Sequence, residues 1–359
     1  MKLSEFSYRL PPELIAQQPL KDRDAARLLV VDRKTQAISH SVFSDLKKFF
    51  PEKSLIVLND SKVVPARLLG RRATGAEVEI FLLKRLRMSK NTHPGTCLPA
   101  GRVGKAVENC LPREWVYQAM VRPLGRIKPG EKILFDNGKI GAEVKDFEQK
   151  IVSFNVDIEK HLNRIGHMPL PPYIKRPDTA SDKKFYQTVY AKNPGSVAAP
   201  TAGLHFTSDL LTNLKREGHT LATVTLHVNQ ATFKPVEAET IEDHPMHWED
   251  YFLSVSAARS VNSAKKKGRP IVAVGTTSCR VLETFAEDKK LKGATNLFIY
   301  PGYRFKMTDI LVTNFHLPAS TLLMLVYAFG GTELMKRAYR EAIEKKYRFY
   351  SYGDGMLIK

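Results

Sequence analysis

Cysteine is scarce in this 359-residue chain: Cys97, Cys110 and Cys279 lie far apart and make no CxxC pair. Neither a disulfide framework nor a cysteine zinc site is therefore indicated. The apolar surroundings of Cys279 mark it as a buried core thiol. Long hydrophobic runs are also missing. The longest, Leu322 to Phe329, falls well short of the ~20 apolar residues that a membrane helix needs. The opening MKLSEFSYRL lacks the apolar core and small-residue cleavage site of a secretory signal, so a cytoplasmic protein with no membrane partner is expected. Neither GxxxxGK[ST] nor GxGxxG occurs, which removes the common nucleotide fingerprints. Acids are in deficit, with 37 Asp plus Glu against 56 Lys plus Arg, a net charge of +19. Small neutral metabolites do not call for such an excess. A polyanion does, because each phosphate neutralised by Lys or Arg releases condensed counterions.

What is present suggests two domains in an α/β chain, since a chain of this length exceeds one small core. Strands are predicted at Arg27 to Asp32 and Leu55 to Leu58, the latter running into a polar turn, Asn59-Asp60-Ser61-Lys62. From about Val63 to Phe147 short alternating runs dominate: Glu77 to Leu83, Trp115 to Arg122, Lys132 to Phe135 and Gly141 to Val144. Pro129-Gly130 and Asp136-Asn137-Gly138 punctuate them. This texture predicts a small barrel-like β module inserted at 61–150 into an α/β domain made of 1–60 and 151–359. Within it, 84–113 carries seven Lys or Arg against one acid, Glu108, and reads as a solvated basic loop able to act as a nucleic-acid arm. Beyond 150, helices and strands alternate. Helices are predicted over Leu210 to Glu217, Ala257 to Lys267 and Cys279 to Glu287. Strands are predicted over Leu221 to Val228, Ile271 to Val274 and Asn296 to Tyr300. This rhythm argues for a layer of parallel strands, whose carboxyl ends are where ligands bind.

Polar clusters fall at those ends. The first is Ala198 to Phe206, with Pro200, Thr201 and Gly203 letting backbone approach a ligand and His205 able to act as base or donor. The second is Leu226-His227, with Thr232-Phe233 behind it. The third, Asp243 to Glu249, holds His244, His247 and Glu249. The fourth is Asn314-Phe315-His316-Leu317-Pro318, leading to Ser320, an N-cap before an apolar helix. Thr276 and Thr277 open a helix after a strand and suit an anion or ribose. Tyr300 and Asp354 stand near further turns and complete the candidate binding set. A metal site built from His244, His247, Glu249 and His205 or His227 is the competing reading. The absent HExxH and the proline between the two histidines weigh against it, so no metal is expected.

Nine segments together resemble the S-adenosylmethionine:tRNA ribosyltransferase-isomerase family of queuosine biosynthesis. They are LPPELIAQQPLKDRDAARLLVVDR from Leu10, LNDSKVVPARLLGR from Leu58, IGHMPLPPYIKRPD from Ile165, YQTVYAKNPGSVAAPTAGLHFT from Tyr186 and TLHVNQATFKPV from Thr225. IEDHPMHWEDY follows from Ile241, RPIVAVGTTSCRVLET from Arg269, LFIYPGYRFKMTDILVTNFHLPASTLLMLV from Leu297 and YRFYSYGDGMLI from Tyr347. The resemblance implies an α/β domain with an inserted β-barrel. It also implies that S-adenosylmethionine is consumed as a ribosyl donor, with no tightly bound cofactor, and that the partner is a tRNA carrying a deazaguanine wobble base. A monomer is expected. A base would remove a ribose 5′ hydrogen acidified by the sulfonium, adenine would leave, the aminomethyl nitrogen of the tRNA base would attack the sugar, and epoxide closure would expel methionine. His205 and Glu249 are the candidate bases, with His227, His244, His247 and His316 as proton carriers or orienting groups. Lys62 and Arg67 are candidates to hold the methionine carboxylate or a phosphate.

Three positions depart from the family pattern: Asn229-Gln230-Ala231 in place of a glycine-rich stretch, Lys62 in place of arginine, and Trp248 in place of a small residue. Two other readings stay open beside the enzyme: a tRNA-binding relative impaired by these changes, and a histidine-ligated metal hydrolase acting on nucleic acid.

Overall fold

The computed structural model describes residues 1–86, 115–123, 127–229, 236 and 238–359. It divides into two compact units, Met1–Val63 with Leu170–Lys359, and Val64–Pro169. Nine strands of the first unit form one sheet. In spatial order they are Lys292–Thr295, Glu249–Leu253, Thr220–Leu226, Leu55–Asn59, Ile271–Val274, Ile310–Asn314, Gly355–Ile358, Arg27–Val31 and Ile38–Val42. The four strands from Thr220–Leu226 to Ile310–Asn314 are parallel, and antiparallel pairs occur towards both margins. The expected parallel layer is thus the middle of a mixed α/β sheet.

The central strands are apolar at successive positions because both faces are covered. Leu55, Val57, Ile271 and Ala273 pack on one side with the helices Val255–Lys266, Gly275–Asp288, Thr321–Gly330 and Thr332–Glu344. Ile56, Leu58, Val272 and Val274 pack on the other with Leu210 and Leu214 of the helix Ser208–Arg216. Thr207, Ser254 and Ser320 cap three of these helices, each side chain accepting a backbone N–H three residues on.

The second unit is a closed antiparallel barrel of six strands: Arg67–Arg72, Glu77–Arg85, Val116–Arg122, Ile151–Phe154, Ile140–Asp146 and Lys132–Phe135, the last pairing back to the first. The pairings of Ile151–Phe154 and of Gly166–His167 carry this unit on to Pro169, past residue 150. Gly70 makes closure feasible, since a Cβ there would lie 2.5 Å from the Phe135 ring. The turn Asp136-Asn137-Gly138 has positive φ at all three residues, which is why those types stand there. Lys84 and Arg85 end the strand Glu77–Arg85; the remaining basic residues of 84–113 lie outside the described residues, as do Cys97, Cys110 and Gln230 to Phe233. Cys279 is fully buried, which pushes its thiol pKa up.

Two local expectations are corrected. Asn296 to Tyr300 is not a strand. The edge strand is Lys292–Thr295, with Thr295 opposite Glu249, the first residue of its partner. Residue 296 has no strand left to pair with, so the apolar run turns its side chains inward instead. Ser61 and Lys62 likewise do not form an open turn: Ser61–Val63 is a short strand parallel to Asn193–Ser196. Among the described residues no helix is long and apolar enough to cross a membrane.

Candidate active site: a two-part cleft at the strand ends

Two neighbouring parallel strands, Ile271–Val274 and Ile310–Asn314, deliver polar residues to the same edge of the sheet. The first passes directly into the helix Gly275–Asp288, and the change of direction takes Gly275 at φ 86°. These strand ends and the segment Ala198–Ala202 line a cleft of about 580 Å³. Pro200, Thr201, Thr276, Thr277, Asn314 and His316 come together there. Such a position, outside the carboxyl ends of parallel strands, is where α/β sheets present ligands.

Two buried amides brace the residues of this cleft. Asn59 donates through Nδ2 to the Thr277 hydroxyl at 3.2 Å and to the Leu226 carbonyl at 3.1 Å, while its Oδ1 accepts from the Ser61 and Leu226 amides. Asn314 has its Nδ2 within 3.1 to 3.4 Å of three acceptors: His205 Nε2, the Tyr350 carbonyl and the Asp354 carbonyl. Its Oδ1 must face away from them. That atom is buried and has no hydrogen-bond partner among the described residues.

The histidines differ in their placement. His316 lines the cleft with Nε2 2.7 Å from the Thr313 hydroxyl, and burial pushes its pKa down to about 3. His205 packs its ring on Phe43 at 4.7 Å between centroids and contacts the cleft residue Asn314 through Nε2. Burial lowers its pKa to about 4, against a weaker opposing hydrogen bond to the Arg23 backbone. Both are neutral imidazoles at pH 7. His227 lies beside Ser61, with Nδ1 3.4 Å from Oγ, and burial lowers its pKa as well. Gly195 is required next to it, since a Cβ would come within 2.9 Å of the ring.

A second compartment, about 540 Å³, adjoins the first at Leu322, which lines both. It contains His244, His247 and Glu249, together with Arg280, Asn229 and Phe298. Glu249 forms a buried ion pair with Arg280 through Oε2 and Nη1, and its Oε1 accepts from the Asn229 amide at 3.2 Å. The Asn229 side chain also donates to the Trp248 carbonyl at 3.0 Å, so two of the departing positions brace each other. Trp248 itself is exposed. Among the described residues no three His, Cys, Asp or Glu side chains converge on a point that would hold a metal ion.

The other candidates are placed elsewhere. Gly203 is buried against Tyr190, whose hydroxyl an added Cβ would overlap. Ser320 caps its helix and also donates to the Leu317 carbonyl. Asp354 accepts from the Arg27 and Arg348 amides, tying the last strand to its surroundings. Tyr300 packs against Phe298 at 5.1 Å. Lys62 is exposed on its short strand. Arg67 belongs to the barrel, where it pairs with Glu79 at 2.8 Å. Sequence reasoning missed Arg280 and Asn59. The available signal for Arg280 was one charged residue in the otherwise uncharged run from Gly275 to Leu282.

A family model described as Queuosine biosynthesis protein matches residues 3–358. The S-adenosylmethionine:tRNA ribosyltransferase-isomerase of Caldanaerobacter subterraneus is 47% identical over 368 residues, covering 100% of both chains. The protein of the same name from Clostridioides difficile is 45% identical, again over 100% of both. The crystal structure of an S-adenosylmethionine tRNA ribosyltransferase from Thermotoga maritima matches with a TM-score of 0.54 and 35% identity, covering 99% of this chain and 100% of that one. By sequence over its whole length and by fold, the chain belongs to the queuosine biosynthesis protein family.

Proposed function

We propose that the protein transfers and isomerises the ribosyl group of S-adenosylmethionine onto 7-aminomethyl-7-deazaguanine at the tRNA wobble position, giving epoxyqueuosine-tRNA, adenine and methionine. Full-length likeness to relatives named for this activity supports the reading. The structural observation that carries it is the Asn314 amide. With Nδ2 committed to three acceptors, its buried Oδ1 is an acceptor that the exocyclic amine of adenine would satisfy. Thr277 accepts from Asn59 and keeps its own proton to donate, so a ribose hydroxyl or an adenine ring nitrogen would find a donor beside that acceptor.

The sulfonium acidifies the ribose 5′ hydrogens, and a group lining the cleft takes one of them. Adenine departs with the glycosidic electron pair and gains a proton. The aminomethyl nitrogen then attacks the sugar, and epoxide closure expels methionine as a neutral thioether. We assign the proton transfers to the histidines that line the cleft, His244, His247 and His316, and a positioning role to His205 and His227. S-adenosylmethionine is substrate here, and no resident cofactor enters these steps. We take the protein to act as a monomer. The charge of +19 suits a tRNA substrate, and such a substrate favours a cytoplasmic setting.

The test is incubation of the purified protein with S-adenosylmethionine and a tRNA bearing the aminomethyl deazaguanine. Nucleosides are then analysed by mass spectrometry and released adenine is measured. Epoxyqueuosine with matching adenine is the expected result. Tight tRNA binding with neither product would replace the enzyme by a binding-only relative.

A further inference from the structure

The second compartment holds an ion pair whose guanidinium is only partly used. Arg280 and Glu249 are both buried, at 6% and 4% exposure. Arg280 donates through Nη1 to Glu249 and through Nε to the Leu297 carbonyl at 3.0 Å, but its buried Nη2 has no partner among the described residues. A buried guanidinium nitrogen without an acceptor is costly, and the strongest acceptor it takes is a carboxylate. The pair as a whole is neutral, so a lone anion or a lone cation would unbalance it. A zwitterion would not. Met246, Leu297 and Leu325 supply an apolar wall for a short aliphatic chain beside it.

The compartment also lies at a telling distance from the first. Thr276 and Arg280 are four residues apart on the same helix, hence on one face and about 6 Å apart along it. Thr276 lines the first compartment and Arg280 the second, with Leu322 shared between them. In a sulfonium amino acid, four bonds join the ribose 5′ carbon to the α carbon, a comparable span.

We propose that Arg280 holds the α-carboxylate and Glu249 the α-ammonium of the sulfonium substrate, making the second compartment the methionine subsite. This rests on the function proposed above. It gives Glu249 a binding role, its carboxylate set between a guanidinium, a backbone amide and the substrate ammonium. It also predicts that free methionine leaves from, and competes for, this compartment.

The experiment compares binding of S-adenosylmethionine with its decarboxylated analogue, which keeps the adenosine, the sulfonium and the ammonium. Wild-type protein is expected to prefer the carboxylate form by about 30-fold, the scale of one charge-assisted bond to a buried group. Arg280→Gln should weaken S-adenosylmethionine and leave the analogue unchanged, bringing the two within about 3-fold of each other. Because that variant leaves Glu249 buried without its guanidinium, Glu249→Gln with Arg280→Gln is measured alongside and should show the same loss of preference. An unaltered preference in both variants overturns the proposal. So does a normal preference combined with a raised KM for tRNA alone, which would make the compartment the site of the deazaguanine base. The wild-type product assay separates the two readings: turnover without Arg280-dependent preference sinks only the subsite, whereas absence of turnover sinks the function itself.

Discussion

Asn59 and Thr277 are joined by a buried hydrogen bond of 3.2 Å that links the end of one parallel strand to the first turn of the helix following its neighbour. The same Asn59 side chain satisfies the amide and carbonyl of Leu226 and the amide of Ser61. Removing it therefore strands three backbone groups in a region sealed from water. Asn59→Ala should destabilise the protein by about 3 kcal/mol, read from the urea midpoint. It should also raise KM for S-adenosylmethionine by about tenfold, because the Thr277 hydroxyl loses its anchor. Loss of stability with an unchanged KM would show that the Thr277 hydroxyl does not face the substrate.

Two buried histidines make acid stability a sharp test. Burial pushes His316 down to about 3 and His205 down to about 4, while in the unfolded chain each titrates near 6.5. Their contribution is complete above pH 6.5. Below it the unfolded chain binds protons that the folded chain refuses, so stability falls as the pH drops from 6.5 towards 4. By pH 5 each histidine should account for about 2 kcal/mol of that loss. Urea midpoints of His316→Gln at pH 7.5 and pH 5 should differ less than those of the wild type, and equal differences would contradict its neutral burial.

The orientation of Asn314 is open to a paired substitution. Asn314→Ala removes the buried Oδ1 and should raise KM for S-adenosylmethionine with a stability cost of about 2 kcal/mol. Asn314→Asp keeps an oxygen towards the cleft but turns another onto His205 Nε2 and the carbonyls of Tyr350 and Asp354. The carboxylate should therefore cost more stability than alanine does. A milder effect of Asp than of Ala would mean that the amide is turned the other way.

Charge predicts the salt response of tRNA binding. Neutralising the seven Lys and Arg of 84–113 should weaken binding and flatten the dependence of log K on log salt, by roughly 0.7 to 0.9 for each phosphate that these side chains had neutralised. Affinities measured at two salt concentrations decide it. Identical slopes would take this segment out of the tRNA interface.

Much of this architecture was legible from the chain because local rules and tertiary packing agree. The apolar runs at Leu55 to Leu58 and Ile271 to Val274 are strands buried on both faces, and the caps at Thr207, Ser254 and Ser320 start helices where they stand. The run Asn296 to Tyr300 was misleading because strand formation needs a partner edge as well as propensity, and that edge ends at Glu249. Among the candidate site residues, Pro200, Thr201, Thr276, Thr277, Asn314 and His316, picked out by their place at strand and loop ends, line one cleft. His205, a candidate base in the sequence, does not line that cleft, and its ring packs on Phe43, distant along the chain.

The alternation of helices and strands, the glycines where φ is positive, the positive charge and the family all rest on local pattern or residue identity. Tertiary structure alone decided which polar groups became neutral, paired or left wanting a partner. Arg280 is an ordinary helical cation until the strand beginning at Glu249 is laid beside it, and Asn314 an ordinary amide until three acceptors fix its face. Desolvation and hydrogen-bond satisfaction depend on what surrounds a group in three dimensions, and residues distant along the chain supply those surroundings.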